Sequence, residues 1–387
     1  MLKFFRKINF FYNSCFQKVT FNEVNLKIMS SRRNFIKRSG LLLGAAVLPF
    51  PGCIAAESKE KLGIALVGLG YYSRDLLAPA LQLTDHCELK GIVTGSQEKI
   101  PVWQKKYGIK DSNVYNYQNM HEISNNDEID VIYIVLPTGL HAKYAIKAAN
   151  TGKHVWCEKP MARTANECQQ IIEACNKNRV KLSIGYRMQH EVNTQTIMKW
   201  AKTQPYGEIQ QVISEAGYNG GSINPWKLKK EMGGGAIYDM GVYSINAARY
   251  STGLEPIAVT AKQSTNRPDI FTEVDETTSY KMEFPNGIIV DGKTSFGESL
   301  NNLEVTTKNG WYYLRPMQSY SGVRGKTSNG KILTPMRKNQ QAVQMDDDAL
   351  AILNNTEVLV SGEEGMKDIH IVEKINKASA TGQRIQI

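Results

Sequence analysis

The sequence predicts an α/β protein with two domains: a doubly wound parallel sheet, then an α+β domain whose open sheet is largely antiparallel. Apolar, strand-like runs alternate with helical patterns up to about residue 185, and a glycine-rich loop directly follows the first run. From about residue 208 onward, alternating polar and apolar positions and Asn-Gly pairs replace this pattern. The 387 residues, 42% apolar and 22% charged, suffice for two folded domains.

The positive charge is concentrated in residues 1–56. This segment has nine Lys and Arg residues and one Glu, whereas the rest of the chain has 38 basic and 36 acidic residues. A nearly neutral body does not attract a phosphate backbone, so the net charge of +10 does not indicate a nucleic-acid partner.

Residues 1–56 have the pattern of an export signal. Arg32 and Arg33 precede an apolar run at 41–50 and small residues at 52–56, as in the twin-arginine signals of exported proteins. A ten-residue run is half of the ~20 residues that span a bilayer, so we expect a periplasmic protein without a transmembrane anchor. We expect cleavage near Ala56. A start at Met29, lipid attachment at Cys53 and a plain basic tail remain alternatives.

The first domain is predicted from buried strands and amphipathic helices. The strands are expected at residues 62–67, 89–93, 131–136, 154–157 and 181–184, with helices at 144–150 and 168–178. Thr164 and Glu167 form the pattern of a capping box before the second helix. The cysteines lack the spacing of a disulfide framework or a zinc site, so we expect small core residues and no metal; they are Cys87, Cys157, Cys168 and Cys175.

The second domain is predicted from period-two alternation. Residues 277–284 alternate polar odd positions with mostly apolar even ones, which indicates a strand with one covered face. Asn-Gly pairs at 286–287, 309–310 and 329–330 predict tight hairpins. A final helix is expected at residues 366–380, ending at Gly382.

The loop after the first strand has the pattern of a dinucleotide-binding site. Gly68, Leu69, Gly70, Tyr71 and Tyr72 precede a serine in a G-x-G-x-x-S sequence, where glycines allow the tight turn and a close approach to a pyrophosphate.

The end of the second strand indicates which dinucleotide binds. An acidic residue there would bind the ribose hydroxyls of NAD, but this chain has Thr94, Ser96 and Lys99. Hydroxyls and an ammonium suit a 2′-phosphate, so we expect NADP rather than NAD.

Two further motifs carry chemistry. Glu158 and Lys159 follow a buried strand at the edge where ligands of open α/β sheets bind, and a lysine buried there needs a purpose. Asp239 and Tyr243 are spaced by four on a predicted helix behind three glycines at 233–235. We therefore expect these four residues in one site.

These motifs resemble the Gfo/Idh/MocA family of oxidoreductases, and the resemblance covers essentially the whole chain. It rests on residues 68–72, 136–137, 140–141, 158–162, 185–187, 233–250 and 362–366. Many relatives have His at the position of Tyr243, and tyrosine there is similar to the glucose–fructose oxidoreductase and aldose dehydrogenase branches.

The resemblance implies a Rossmann domain at residues 57–185, which binds NADP, and a substrate-binding and oligomerisation domain at residues 186–387. A pyranose would lose hydride from C1, Tyr243 would take the hydroxyl proton with Lys159 as the neighbouring cation, and Asp239 would hold the sugar. The family's dimers and tetramers imply a homodimer or homotetramer. Further cofactor or sugar contacts are implied for Tyr117, Leu136, Pro137, His141, Glu158, Arg187, Trp226 and Lys227.

Several functions remain open at this stage. An exported dehydrogenase has no supply of nucleotide, so we expect a ping-pong cycle in which a second sugar reoxidises bound NADP. Glucose–fructose oxidoreductase retains its cofactor with a Pro-rich arm, whereas here only residues 57–61 separate the expected cleavage point from the first strand. An aldose 1-dehydrogenase with exchangeable cofactor, an NAD-dependent glycosidase and a non-catalytic sugar-binding protein are the alternatives.

Overall fold

A computed structural model describes residues 59–221 and 223–387. The predicted export signal, its cleavage point and Cys53 lie outside the described residues. Within the part of the chain that the structure describes, no helix is both long and apolar enough to cross a bilayer.

The first sheet has six parallel strands, as predicted, in the order β3-β2-β1-β4-β5-β6. This is the strand order of doubly wound dinucleotide-binding folds. Every residue of β1 is buried, because helices cover both faces. The strands are β1 (Leu62–Val67), β2 (Cys87–Val93), β3 (Val114–Tyr115), β4 (Val131–Ile134), β5 (His154–Cys157) and β6 (Leu182–Ile184). The fourth strand ends two residues earlier than expected, and β3 was not predicted.

Four helices connect these strands: α1 (Ala78–Leu81), α2 (Ile100–Tyr107), α3 (His141–Ala149) and α4 (Ala165–Asn178). A π-helical segment, Tyr72–Leu77, leads from the glycine loop into α1. The cap of α4 differs from the predicted box. Thr164 accepts a hydrogen bond from the Glu167 amide at 3.1 Å, but the Glu167 carboxylate accepts from the Arg163 amide instead of the Thr164 amide.

The second sheet has nine strands and is largely antiparallel, as predicted, with one parallel pair. The strands are β7 (Ile209–Gly217), β8 (Ala258–Ser264), β9 (Thr277–Glu283), β10 (Ile289–Ser295), β11 (Leu300–Thr307), β12 (Gly310–Leu314), β13 (Gly325–Thr327), β14 (Ile332–Leu333) and β15 (Ile385–Gln386). Their order is β14-β13-β12-β11-β7-β10-β9-β8-β15. Each of the three Asn-Gly pairs joins two antiparallel neighbours. The predicted boundary after residue 185 remains a proposal.

Four helices accompany the second sheet: α5 (Val192–Thr203), α6 (Val242–Thr252), α7 (Gln340–Leu353) and α8 (Gly362–Thr381). All residues of α6 are buried, so its position is fixed on every side. Three apolar side chains of α7 pack into the core of the first sheet, and these are Ala342, Met345 and Ala349. A second apolar core contains residues of both sheets and of α4, α6 and α8, and Tyr243 belongs to it.

Candidate active site

The glycine loop lies directly after β1 and contains two glycines, Gly68 and Gly70, which are needed for different reasons. Gly68 has a φ of +91°, and a Cβ there would lie 2.5 Å from the Val135 carbonyl oxygen, so the fold itself requires this glycine. A Cβ on Gly70 would meet nothing within 4 Å. The protein does not need a glycine at this second position, but a closely bound pyrophosphate does. The loop therefore fits a dinucleotide.

The predicted NADP-selecting residues lie together at the end of β2. The Thr94 hydroxyl accepts from the Ser96 amide at 3.1 Å, and the Lys99 ammonium donates to the Leu69 carbonyl at 3.1 Å. Lys99 therefore places its positive charge beside the glycine loop. The ring of Tyr117 closes this edge, since a Cβ on Gly95 would lie 3.2 Å from it.

Glu158 is buried at the end of β5. Its Oε1 accepts from the Tyr133 hydroxyl at 2.6 Å, and its Oε2 accepts from the Lys159 amide at 3.2 Å. Burial raises the pKa of the Glu158 carboxyl to about 7, although the Tyr133 hydrogen bond and the Lys159 charge oppose this rise. A Cβ on Gly185 would lie 2.7 Å from the carboxylate, so that glycine makes room for it.

Lys159 joins the two predicted catalytic motifs. Its Nζ donates to the main-chain oxygen of Asp239 at 2.8 Å and lies 4.2 Å from the centre of the Tyr243 ring. The Tyr243 side chain, on α6, is 8% exposed. The structure therefore brings together a cation, a largely buried phenol and an acidic residue that the sequence separates by 84 positions.

The Asp239 carboxylate pairs with Lys227. The Lys227 Nζ lies 2.6 Å from Asp239 Oδ2, and the two side chains are 22% and 13% exposed. Burial by itself would raise the pKa of Asp239, but the Lys227 and Lys159 ammonium groups hold it below its usual range. Lys227 was expected to reach the cofactor or the sugar, and the structure places it on Asp239, 5.8 Å from the Trp226 ring.

Arg187 and His141 form hydrogen bonds within the protein. The Arg187 side chain is 1% exposed and donates to the Gln318 carbonyl at 2.6 Å and to Gln340 Oε1 at 2.8 Å. The ring nitrogens of buried His141 lie 2.8 and 2.7 Å from the carbonyl oxygens of Pro160 and Leu136. Both side chains therefore help to position loops around the site, and their predicted cofactor contacts remain a proposal.

Tyr320 is an aromatic residue of the site that the sequence analysis missed. Its ring centre lies 6.1 Å from that of Tyr72. The guanidinium carbon of Arg187 lies 4.7 Å from the centre of the Tyr320 ring. Tyr320 is in the connection between β12 and β13, where no motif marks it. Of the remaining predicted positions, Leu69 is buried, Tyr71 is exposed, and Leu136 and Pro137 follow β4.

Two family models match most of the described chain. Residues 62–186 match a model described as an oxidoreductase family with an NAD-binding Rossmann fold. Residues 194–313 match a model described as the GFO/IDH/MocA C-terminal domain.

Individual proteins are similar over nearly the whole described chain. The D-xylose 1-dehydrogenase [NADP(+)] of Haloarcula marismortui is 25% identical over 341 residues, which cover 84% of this chain and 92% of that protein. The crystal structure of the aldose-aldose oxidoreductase of Caulobacter crescentus is 34% identical, with a TM-score of 0.81, and the match covers 84% of this chain and 100% of that one. A scyllo-inositol dehydrogenase of Lactobacillus casei, 17% identical with a TM-score of 0.71, shares the fold.

Proposed function

Because this chain belongs to the Gfo/Idh/MocA family of oxidoreductases, we propose that it is an NADP-dependent enzyme that oxidises an aldose at C1. The contact of Lys159 with both Asp239 and Tyr243 carries this proposal. It supports a site at the carboxyl edge of the parallel sheet in which Tyr243 accepts a proton beside the Lys159 ammonium and the Asp239 carboxylate accepts a hydrogen bond.

Tyr243, Lys159 and Asp239 have different roles in the proposed reaction. The C1–H bond breaks and its electron pair leaves with the hydrogen, while the O1–H proton passes to the phenolate oxygen of Tyr243, which becomes the neutral phenol. The Lys159 ammonium lies 4.2 Å from the centre of the Tyr243 ring and supplies a positive charge beside the group that takes the proton. The Asp239 carboxylate, kept ionised by Lys227, accepts a hydrogen bond from a sugar hydroxyl.

NADP fits the residues at the cofactor edge better than NAD. Thr94, Ser96 and Lys99 offer hydroxyls and an ammonium beside the glycine loop, which suits a 2′-phosphate. When bound, NADP supplies the acceptor for the hydride from C1 and can donate it again to a second sugar. We propose a ping-pong cycle of this kind; the similarity to an enzyme named aldose-aldose oxidoreductase supports it.

The deciding experiment starts from protein purified in its native state. We expect denaturation to release NADP, identified by absorbance and mass, and we expect an aldose and a second sugar to turn over without added nucleotide. Turnover that strictly requires added NADP would indicate an exchangeable-cofactor dehydrogenase. Hydrolysis of glycosides with unchanged nucleotide, or sugar binding without redox turnover, would contradict the proposed reaction.

We also propose export and self-association. The basic and apolar pattern of residues 1–56 supports twin-arginine export, and cell fractionation of a variant with Arg32→Lys and Arg33→Lys tests it. One face of the second sheet carries partly exposed aromatic residues, including Trp311, which supports a homodimer or homotetramer. Light scattering of the purified protein measures its mass directly.

A further inference from the structure

The connection between β12 and β13, residues 315–324, is fixed from two sides. The Arg315 amide donates to the Arg324 carbonyl at 2.8 Å and closes its base. Asn301 Oδ1 accepts from the amides of Met317 and Gln318 at 2.7 and 2.9 Å. We call residues 315–324 the platform loop. Its backbone is held by specific hydrogen bonds, so the side chains that it presents have defined positions.

Arg187 holds this loop against the proposed catalytic residues. Its guanidinium donates to the Gln318 carbonyl at 2.6 Å, and its central carbon lies 4.7 Å from the Tyr320 ring and 5.5 Å from the Tyr243 ring. A fully buried guanidinium thus lies next to both aromatic rings. It ties the position of Tyr320 to that of Tyr243.

Tyr320 remains 43% exposed although it is fixed in this way. Of its near neighbours, Tyr72 is partly buried and Tyr243 is buried. A partly exposed aromatic ring on a loop held in this way offers a flat apolar surface with one hydroxyl at its tip. A pyranose with equatorial hydroxyls has the complementary shape, because its C–H groups form two apolar faces and its hydroxyls lie at the rim.

We propose that Tyr320 is the platform on which the pyranose ring of the substrate stacks, which makes the platform loop a determinant of sugar specificity. This inference rests on the proposed function for its substrate class. It implies that the site prefers an aldopyranose with equatorial hydroxyls, because an axial hydroxyl lifts one face of the ring from the aromatic surface.

The test compares Tyr320→Phe, Tyr320→Leu and Tyr320→Ala in the nucleotide-loaded protein, with D-glucose and D-galactose as probes. An aromatic stack accounts for roughly a tenfold change in affinity. We therefore expect Tyr320→Phe to stay within about twofold of the parent and Tyr320→Ala to raise the KM and the calorimetric Kd for D-glucose about tenfold. The Leu variant keeps apolar volume without a flat face, so its affinity should also fall.

Tyr313→Ala is the matched control. Tyr313 also has an arginine over its ring, at 5.1 Å, but it lies on the outward side of β12 beside Trp311. Its removal should leave sugar affinity unchanged. The preference for D-glucose over D-galactose should shrink in Tyr320→Ala and persist in Tyr313→Ala.

The outcomes separate this inference from the proposed reaction. Unchanged sugar affinity in Tyr320→Ala would overturn it, and so would loss of bound nucleotide at unchanged sugar affinity, which would show that the ring covers the nicotinamide. Calorimetry does not need turnover. A parent protein that binds D-glucose through Tyr320 without oxidising it would contradict the proposed function and leave the platform in place.

Discussion

Replacing Lys227 with methionine tests the electrostatics of the site. The change removes a partner 2.6 Å from the Asp239 carboxylate and keeps a side chain of similar length. Breaking a buried ion pair costs about 3–5 kcal/mol, and the lower limit applies here because both side chains are partly exposed. With an unfolding entropy of roughly 2 cal/mol/K per residue, a loss of about 3 kcal/mol lowers Tm by roughly 4 °C for a folded body of this size.

The loss should depend on pH in a defined direction. Asp239 has a folded-state pKa below its unfolded value, so its charge contributes stability above the unfolded pKa, and this contribution is lost as pH falls through the folded pKa. Without Lys227, burial becomes the larger effect and raises the pKa of Asp239. The ionised Asp239 carboxylate then lowers the free energy of unfolding at neutral pH, and protonation of this carboxylate at low pH removes the penalty. The deficit should be larger at about pH 7.5 than at about pH 4.5.

Scanning calorimetry of the nucleotide-loaded protein at both pH values measures this deficit. Lys229→Met is the control, because Lys229 pairs with Glu273 at the surface, where such pairs contribute about 0–1 kcal/mol. Adding Asp239→Asn to Lys227→Met should restore most of the stability, since it removes the unpaired charge. An equal loss in Lys229→Met, or a deficit independent of pH, would refute the reasoning.

Three further changes test the site. Tyr243→Phe should lower kcat by about 10²–10⁴ while nucleotide retention stays unchanged, and equal loss of both would argue against its role as the base. Lys99→Glu should shift cofactor preference from NADP toward NAD by at least about tenfold, whereas Lys105→Glu on the exposed side of α2 should not. Burial raises the pKa of Glu158 in the folded protein to about 7. The ionised carboxylate therefore lowers the stability of the protein above pH 7, and this effect is absent below the pKa of the unfolded chain. Glu158→Gln should therefore gain Tm over the parent at about pH 8 but not at about pH 4.

Local sequence patterns predicted most strands and turns, but they did not predict element bounds that depend on tertiary contacts. The last helix was expected to begin at residue 366, but α8 begins at Gly362. Glycines disfavour helix locally, so the pattern pointed to a later start. A Cβ at Gly362 would lie 2.6 Å from Leu182, so the glycine allows α8 to pack closely on β6. Such a requirement exists only in the folded protein.

The site residues likewise include some that a local motif identifies and one whose position depends on tertiary contacts. Lys159, Asp239 and Tyr243 were found because each stands in a short motif whose spacing indicates a strand end or one helix face. Tyr320 was missed because its place depends on hydrogen bonds from Arg187 to a distant loop. A motif does suggest that Arg187 matters, but not which carbonyls its guanidinium binds.

The contacts around the cleft bear on how a cofactor is retained. The Lys159–Asp239 hydrogen bond and the Tyr72–Tyr320 contact each join a residue between β1 and β6 to a residue that follows β7 in the chain. Moving the glycine loop away from Tyr320, and Lys159 away from Asp239, would break both contacts. We therefore expect these contacts to slow the release of a nucleotide bound at the glycine loop. These contacts involve the proposed catalytic lysine, so retention and chemistry depend on the same side chain.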